Sequence, residues 1–294
     1  MKLLRLSKKI IKTLVPYWML WVYRRFLLNY RNLNETRELL QFDIHLTDHC
    51  NLKCAGCEHF SPLAEEKFMD ITVFEKDCSQ LNKLTGGVIK YLGILGGEPL
   101  LHPLVNNFME ISRKYFPSGQ IAIVTNGILL EKQTDTFWKT CKENDIDIIL
   151  SVYPVKINHF EIKERADSYG VKIIWWGDPL NVTKDWRKLK IDLKGSQNPI
   201  LSNNLCYASN TCFQLVDGRL YKCWRIAYIK YFNKQFNQNL EVTEDDYIDI
   251  YKAKNVKEIL ERIRKPFKFC RYCDMKNPEP VKWKISKKEI SEWI

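Results

Sequence analysis

The chain has 294 residues, 45% of them hydrophobic and 28% charged, a composition that fits a folded soluble protein and excludes a disordered or fibrous one. The net charge is +11, yet Lys2, Arg5, Lys8, Lys9, Lys12, Arg24, Arg25 and Arg31 all fall within residues 1–31, where no acidic residue occurs, so the remainder is close to charge balance. A nucleic-acid-binding protein spreads basic residues over a domain face, so this distribution argues against that role.

Residues 1–40 read as a basic, helical lead-in that Pro16 breaks or kinks. Within it, Thr13–Tyr23 carries no charge and includes Tyr17, Trp18, Trp21 and Tyr23. The stretch is too short to span a bilayer. Aromatic residues flanked by Lys and Arg suit a membrane interface or packing on the protein's own body, and the sequence leaves both open.

From residue 42 onward strands and helices alternate. Phe42–Leu46 alternates as a strand, Phe74–Leu84 has helical spacing, Val88–Leu95 is strand-like and Leu104–Tyr115 helical. Gln120–Val124 is a strand, Glu131–Glu143 a helix, Asp147–Val152 a strand, Phe160–Tyr169 a helix and Val171–Trp176 a fifth strand. Repeated β-α units predict a parallel sheet with right-handed crossovers and ligand groups at the strands' C-terminal ends. Asn181–Asn204 is polar and irregular and reads as a connection. Beyond it, Phe213–Val216 and Arg219–Cys223 flank Asp217-Gly218, a hairpin signature. The expected organisation is a lead-in (1–40), an α/β core (41–180), a connection (181–204) and a small C-terminal α+β domain (205–294).

Ten cysteines are many, and no secretory cleavage pattern precedes them. They suit metal binding in a reducing cytoplasm better than disulfides. Cys50, Cys54 and Cys57 form C-x3-C-x2-C in one loop. That spacing fits an iron–sulfur cube with one open iron, or a structural zinc site completed by His49 or His59. Gly96-Gly97-Glu98-Pro99 ends the second strand, where glycines let backbone approach a ligand and Glu98 offers an acceptor for an ammonium group. Thr125-Asn126-Gly127 and Ser151–Tyr153 end the next two strands. The loop and the three turns therefore share one end of the predicted sheet. A second set follows: Cys206 and Cys223 frame Gly218 as C-x11-G-x4-C, and Cys270 and Cys273 form C-x2-C. Its alternatives are again an iron–sulfur cluster and structural zinc. Cys212 is left over, and Cys78 and Cys141 lie in helical segments as core residues.

Cys50, Cys54, Cys57, Gly96–Pro99 and Thr125–Gly127, in that order over residues 42–176, resemble the radical S-adenosylmethionine (SAM) superfamily. The position before the third cysteine, often aromatic in that family, is Gly56 here. The resemblance implies a partial (β/α)6-type TIM barrel, a [4Fe-4S] cluster on Cys50, Cys54 and Cys57, and SAM held by Gly96, Gly97, Glu98, Pro99, Thr125, Asn126 and Ser151. Glu98 is then assigned to the SAM ammonium and Ser151 to the ribose hydroxyls. The second cysteine set resembles the twitch extension, the shorter relative of SPASM. It implies one auxiliary [4Fe-4S] cluster on Cys206, Cys223, Cys270 and Cys273, with Cys212 an alternative to Cys206.

Twitch-bearing relatives include alcohol dehydrogenases acting on aminocyclitols, and Cys57–Ala64 looks like radical SAM proteins of surface-polysaccharide pathways. The implied activity is oxidation of a sugar- or glycan-like substrate. Substrate binding at an open auxiliary iron and peptide maturation are the catalytic alternatives, and a non-catalytic zinc or iron–sulfur module is the alternative of another class. Arg225 is a candidate for orienting a polar substrate. The implied electron donor is a small protein such as flavodoxin or ferredoxin, and the implied location is cytoplasmic, with residues 1–31 a candidate contact for the inner membrane face.

Overall fold

A computed structural model describes residues 39–294. The lead-in, and with it the proposed membrane contact, lies outside the described residues. Five parallel strands follow the predicted units: β1 (Gln41–His45), β2 (Tyr91–Leu95), β3 (Gln120–Thr125), β4 (Ile146–Ser151) and β5 (Ile173–Trp176). Four helices connect them: α1 (Ile71–Thr85), α2 (Val105–Tyr115), α3 (Asp135–Glu143) and α4 (His159–Ser168). Local chemistry sets their ends. The Asp70 carboxylate accepts from the Thr72 and Val73 amides to start α1, and Gly86, in the left-handed region at φ 65°, ends it. Thr134 and Asn158 cap α3 and α4 in the same way.

The strands read as apolar because both faces are covered. Phe42, Ile44, Leu92, Ile94, Ile121, Ile123, Ile148 and Leu150 are buried in the core. Phe74, Phe108, Phe137 and Trp138 meet them from the helices, along with Cys78 and Cys141. Each fully buried large side chain contributes roughly 1.5–3 kcal/mol.

After β6 (Asp185–Ile191) and α5 (Pro199–Leu205), the predicted hairpin appears as β7 (Gln214–Val216) and β8 (Arg219–Tyr221). Its Asp217 and Gly218 both have positive φ, as a tight two-residue turn requires. Then come α6 (Trp224–Phe236), β9 (Tyr247–Asp249), α7 (Val256–Ile263) and β10 (Cys273–Lys282). The sheet order is β5-β4-β3-β2-β1-β7-β8-β9, and β7 pairs parallel with β1. The hairpin thus supplies the sixth parallel strand, and residues 40–294 form one compact unit. The stretch 181–204 is more than a connection: its β6 pairs antiparallel with β10 in a separate two-stranded ribbon. Alternating charge along β6 hides a strand whose partner lies far away in sequence. Among the described residues no helix is long and apolar enough to cross a membrane.

Asp43 joins β1 to β7 by accepting a 2.9 Å hydrogen bond from Gln214 Nε2. Burial pushes its pKa up from 3.8 to about 7, against the lowering effect of Gln214. Between those values the folded state holds a proton that the unfolded state has lost. Stability from this group is therefore greatest at low pH and falls as the pH rises towards 7. Relative to Asp43→Asn, the wild type is expected to lose about 2–3 kcal/mol between pH 5 and pH 7. Urea unfolding of both proteins at the two pH values checks this; parallel slopes would remove Asp43 as the cause.

Candidate active site

The cysteine loop leaves β1 and is seated on the end of β2. The Gly97 amide donates to the Thr47 carbonyl at 2.8 Å and the Glu98 amide to the His49 carbonyl at 3.1 Å. A Cβ on Gly96 would lie 2.2 Å from the Thr47 carbonyl oxygen, and one on Gly97 would lie 2.0 Å from that of His49. The glycine pair thus lets the loop's own backbone press onto the strand end.

Glu98 joins this turn to the next. It is completely buried. Its carboxylate accepts from Thr125 Oγ1 (2.6 Å), the Asn126 amide (3.0 Å) and the Leu100 amide (3.1 Å). Burial raises its pKa to about 7, and the three donors oppose that rise. Asn126 reaches on to the cysteine loop: its Nδ2 donates to Asn51 Oδ1 at 2.7 Å and lies 3.8 Å from Cys50 Sγ. Ser151 is buried at the end of β4, paired in register with Trp176.

The Cys50, Cys54 and Cys57 thiols are all pushed up, first by burial; Cys54 reaches about 12. Cys50 also feels the charges of Glu98, Cys57 and Cys54, and Cys54 that of Cys57. Several donors face these sulfurs. The Leu52 amide lies 3.4 Å from Cys50 Sγ, and Trp283 Nε1 donates to Cys54 Sγ at 3.1 Å. Tyr153, just past β4, is half-buried and hydrogen-bonds Cys54.

The second set gathers between α5, α6 and the start of β10. Burial pushes Cys206 up to about 11 and Cys270 up to about 12, with Cys273 the next contributor in each case. Cys223 is pushed up well beyond its usual range by burial, then by Cys273, Cys206 and Cys270. Cys212 is pushed up by burial, then by the charges of Asp43 and Cys206. No cysteine is in a disulfide.

Arg225 is buried rather than presented to a substrate. Its guanidinium donates to both Glu58 oxygens (3.1 and 3.0 Å), to the Leu189 carbonyl (2.7 Å) and to Cys273 Sγ (3.5 Å). Trp224 Nε1 also donates to Glu58, at 2.9 Å. Glu58 follows Cys57, so this one ion pair links the two cysteine sets.

No family model matches the chain. The GTP 3′,8-cyclase of Chlorobaculum tepidum is 31% identical over 93 residues, which are 31% of this chain and 27% of that protein. AlbA, the antilisterial bacteriocin subtilosin biosynthesis protein of Bacillus subtilis and a SPASM-domain radical SAM enzyme, is 34% identical over 139 residues. These are 46% of this chain and 29% of AlbA, so the match spans under a third of either curated relative. Among solved structures, that of BtrN in complex with AdoMet and 2-DOIA has a similar fold. The TM-score is 0.51 at 17% identity, covering 81% of this chain and 94% of BtrN.

These similarities indicate a radical SAM superfamily protein. Its donor sets suit the superfamily's cluster. Among the described residues no three His, Cys, Asp or Glu side chains converge at the spacing of a single ion. One zinc needs its sulfurs at about 2.3 Å, whereas a four-iron cube spreads its thiolates over separate corners. Half-buried thiols that raise one another's pKa are poor anions alone, and positively charged iron relieves that cost. Neither histidine once eligible as a zinc ligand points its Nδ1 at the thiols: that of His49 bonds Thr47 Oγ1, and that of His59 bonds His45 Nε2 at 2.7 Å.

Two features of this site escape a reading by motif. His59, His45 and Asp48 form a part-buried chain, with His45 Nδ1 2.8 Å from Asp48 Oδ1 and Tyr228 stacked on His45 at 3.8 Å. The C-terminal segment also wraps the cysteine loop. The Ala55 amide donates to the Lys284 carbonyl (2.9 Å), the Ser286 amide to the Lys53 carbonyl (2.8 Å) and Trp293 Nε1 to the Cys57 carbonyl (2.9 Å). Gly56 has φ 66°, and a Cβ there would sit 2.9 Å from the Glu292 carbonyl oxygen. The segment occupies the space that a side chain at position 56 would enter. Period-two alternation at Val281, Trp283 and Ile285 is the one signal that marks it as extended. A cavity of about 430 Å3, lined by Gly119, Gln120, Lys142, Asp147 and Lys172, lies where the strands begin, at the opposite end of the sheet from the thiols.

Proposed function

We propose that the protein is a radical SAM enzyme that abstracts hydrogen from a polar, sugar- or glycan-like substrate and oxidises it. The observation that carries this reading is the convergence of three half-buried thiols with the hydrogen-bonded turns at Gly96–Pro99 and Thr125–Gly127 at one end of a parallel sheet. Cys50, Cys54 and Cys57 would hold the first [4Fe-4S] cluster, and Cys206, Cys223, Cys270 and Cys273 the auxiliary one. When bound, the first cluster with SAM supplies reductive cleavage to a 5′-deoxyadenosyl radical, and the second supplies a one-electron acceptor, so that loss of a hydrogen atom, an electron and a proton amounts to a two-electron oxidation.

The chain's own residues orient and shield. Gly96 and Gly97 seat the loop. Glu98 holds Thr125 and Asn126, and its three donors leave about one of a carboxylate's four acceptor positions for the SAM ammonium. Ser151 is assigned to the ribose hydroxyls. A flavodoxin- or ferredoxin-type protein would deliver the electron. The Cys57–Ala64 segment supports a glycan substrate, while the similarity to AlbA favours a second reading, a peptide maturase.

Anaerobic reconstitution is expected to give about eight irons per chain and 5′-deoxyadenosine from SAM under reductant. Cys54→Ala should abolish cleavage and reduce iron to about half. Two zincs without SAM cleavage would leave a non-catalytic module. Mass spectrometry of incubations with sugar nucleotides, lipid-linked glycans and precursor peptides distinguishes the substrates. Modified peptide without modified sugar reverses the preference.

A further inference from the structure

The C-terminal ribbon connects the two cysteine sets. β10 begins at Cys273 and runs along β6 to the first loop, where the Trp283 amide donates to the Lys184 carbonyl at 2.8 Å. Cys54 then pairs with Ile285 as an isolated bridge. The ribbon delivers one donor to this sulfur: Trp283 Nε1 donates to Cys54 Sγ at 3.1 Å. Tyr153 carries the Lys184 amine 4.5 Å over its ring and packs edge-on against Trp283 at 6.2 Å. The indole thus packs against Tyr153 with its single N–H aimed at the sulfur.

We infer that Trp283 is a positioning residue that raises the reduction potential of the cluster held by Cys54, making the C-terminal ribbon part of the redox site. This deepens the proposed function and rests on its cluster assignment. A thiolate gains negative charge when its cluster takes up an electron. An N–H donor therefore stabilises the reduced form more than the oxidised one. Trp is a donor only, so the hydrogen bond has one polarity in both states. Gly56 belongs to the same device, because a side chain there would meet the Glu292 carbonyl and lift the segment that carries Trp283.

The test is an EPR-monitored potentiometric titration of the full chain, anaerobically reconstituted, with dithionite donating the electron through mediators. In Trp283→Phe, which keeps a ring and removes the N–H, the reduced-to-oxidised ratio of the first cluster at a fixed potential is expected to fall about tenfold, equivalent to about 59 mV for one electron. Its iron content and the auxiliary signal should stay unchanged. Trp283→His, which restores a ring N–H, should recover part of the shift. An unchanged potential in a fully loaded Trp283→Phe protein overturns the inference and leaves the cluster assignment standing. So does loss of the cluster from that variant alone, which makes Trp283 structural only, and so does an equal shift in the histidine variant. A wild-type chain that takes up no iron overturns the assignment and the inference together.

Discussion

Gly97→Ala is expected to unseat the cysteine loop. The new Cβ would lie 2.0 Å from the His49 carbonyl oxygen, 2.3 Å from the His49 carbonyl carbon and 2.8 Å from the Asp48 carbonyl oxygen. All three are backbone atoms, so no rotamer change relieves the overlap. The loop or the end of β2 must move, breaking the bonds from the Gly97 and Glu98 amides. Overpacking of this kind costs about 3 kcal/mol or more. The displacement also falls next to Cys50, so iron uptake at the first set should drop while the second set still loads. Gly86→Ala is the control: it has a positive φ but nothing within 4 Å of the added Cβ, and should cost only about 1 kcal/mol of backbone strain. Urea unfolding with iron analysis of both variants is the measurement. A Gly97→Ala protein as stable and as iron-loaded as Gly86→Ala would show that the loop seats elsewhere.

Glu58→Ala should be comparably damaging, by a different physics. The Arg225 side chain is 4% exposed and that of Glu58 20% exposed, so removing the carboxylate strands a buried cation. Breaking such a pair costs about 3–5 kcal/mol. The lower end applies here, because the Leu189 carbonyl and Cys273 Sγ remain as acceptors. Arg225→Leu added to Glu58→Ala should recover part of the loss, since the double variant buries no charge. Equal stability of the single and double variants would mean that the guanidinium finds water or another acceptor. Because Glu58 follows Cys57 and Arg225 touches Cys273, the single variant should also change the spectra of both clusters; a loss confined to one would break the link between them.

The local features were legible. The alternation at Phe42–Leu46, the helical spacing at Phe74–Leu84 and the Asp217-Gly218 turn each depend on a few consecutive residues, and the strands, helix and turn appear within a few positions of where they were expected. Val88–Leu95 was too long by three residues, because the Gly86-Gly87 turn delays pairing with β1 until Tyr91. The glycines of Gly96–Pro99 were expected to admit a ligand, and their visible steric partner is the loop backbone. Arg225 looked like a substrate contact only because its partner, Glu58, is 167 residues away.

The sequence by itself determined the short-range patterns: cysteine spacing and strand-end turns carry the resemblance to radical SAM enzymes and mark a second thiol set. Tertiary structure decided how these parts constrain one another. That hairpin β7–β8 completes the parallel sheet, that Glu98 ties two turns together, that Glu58 and Arg225 join the two thiol sets, and that Trp283 reaches Cys54 are all contacts between distant segments. Their partners are chosen by burial, which forces each polar group in the interior to find a donor or acceptor wherever the fold brings one. Spacing along the chain carries no record of that choice.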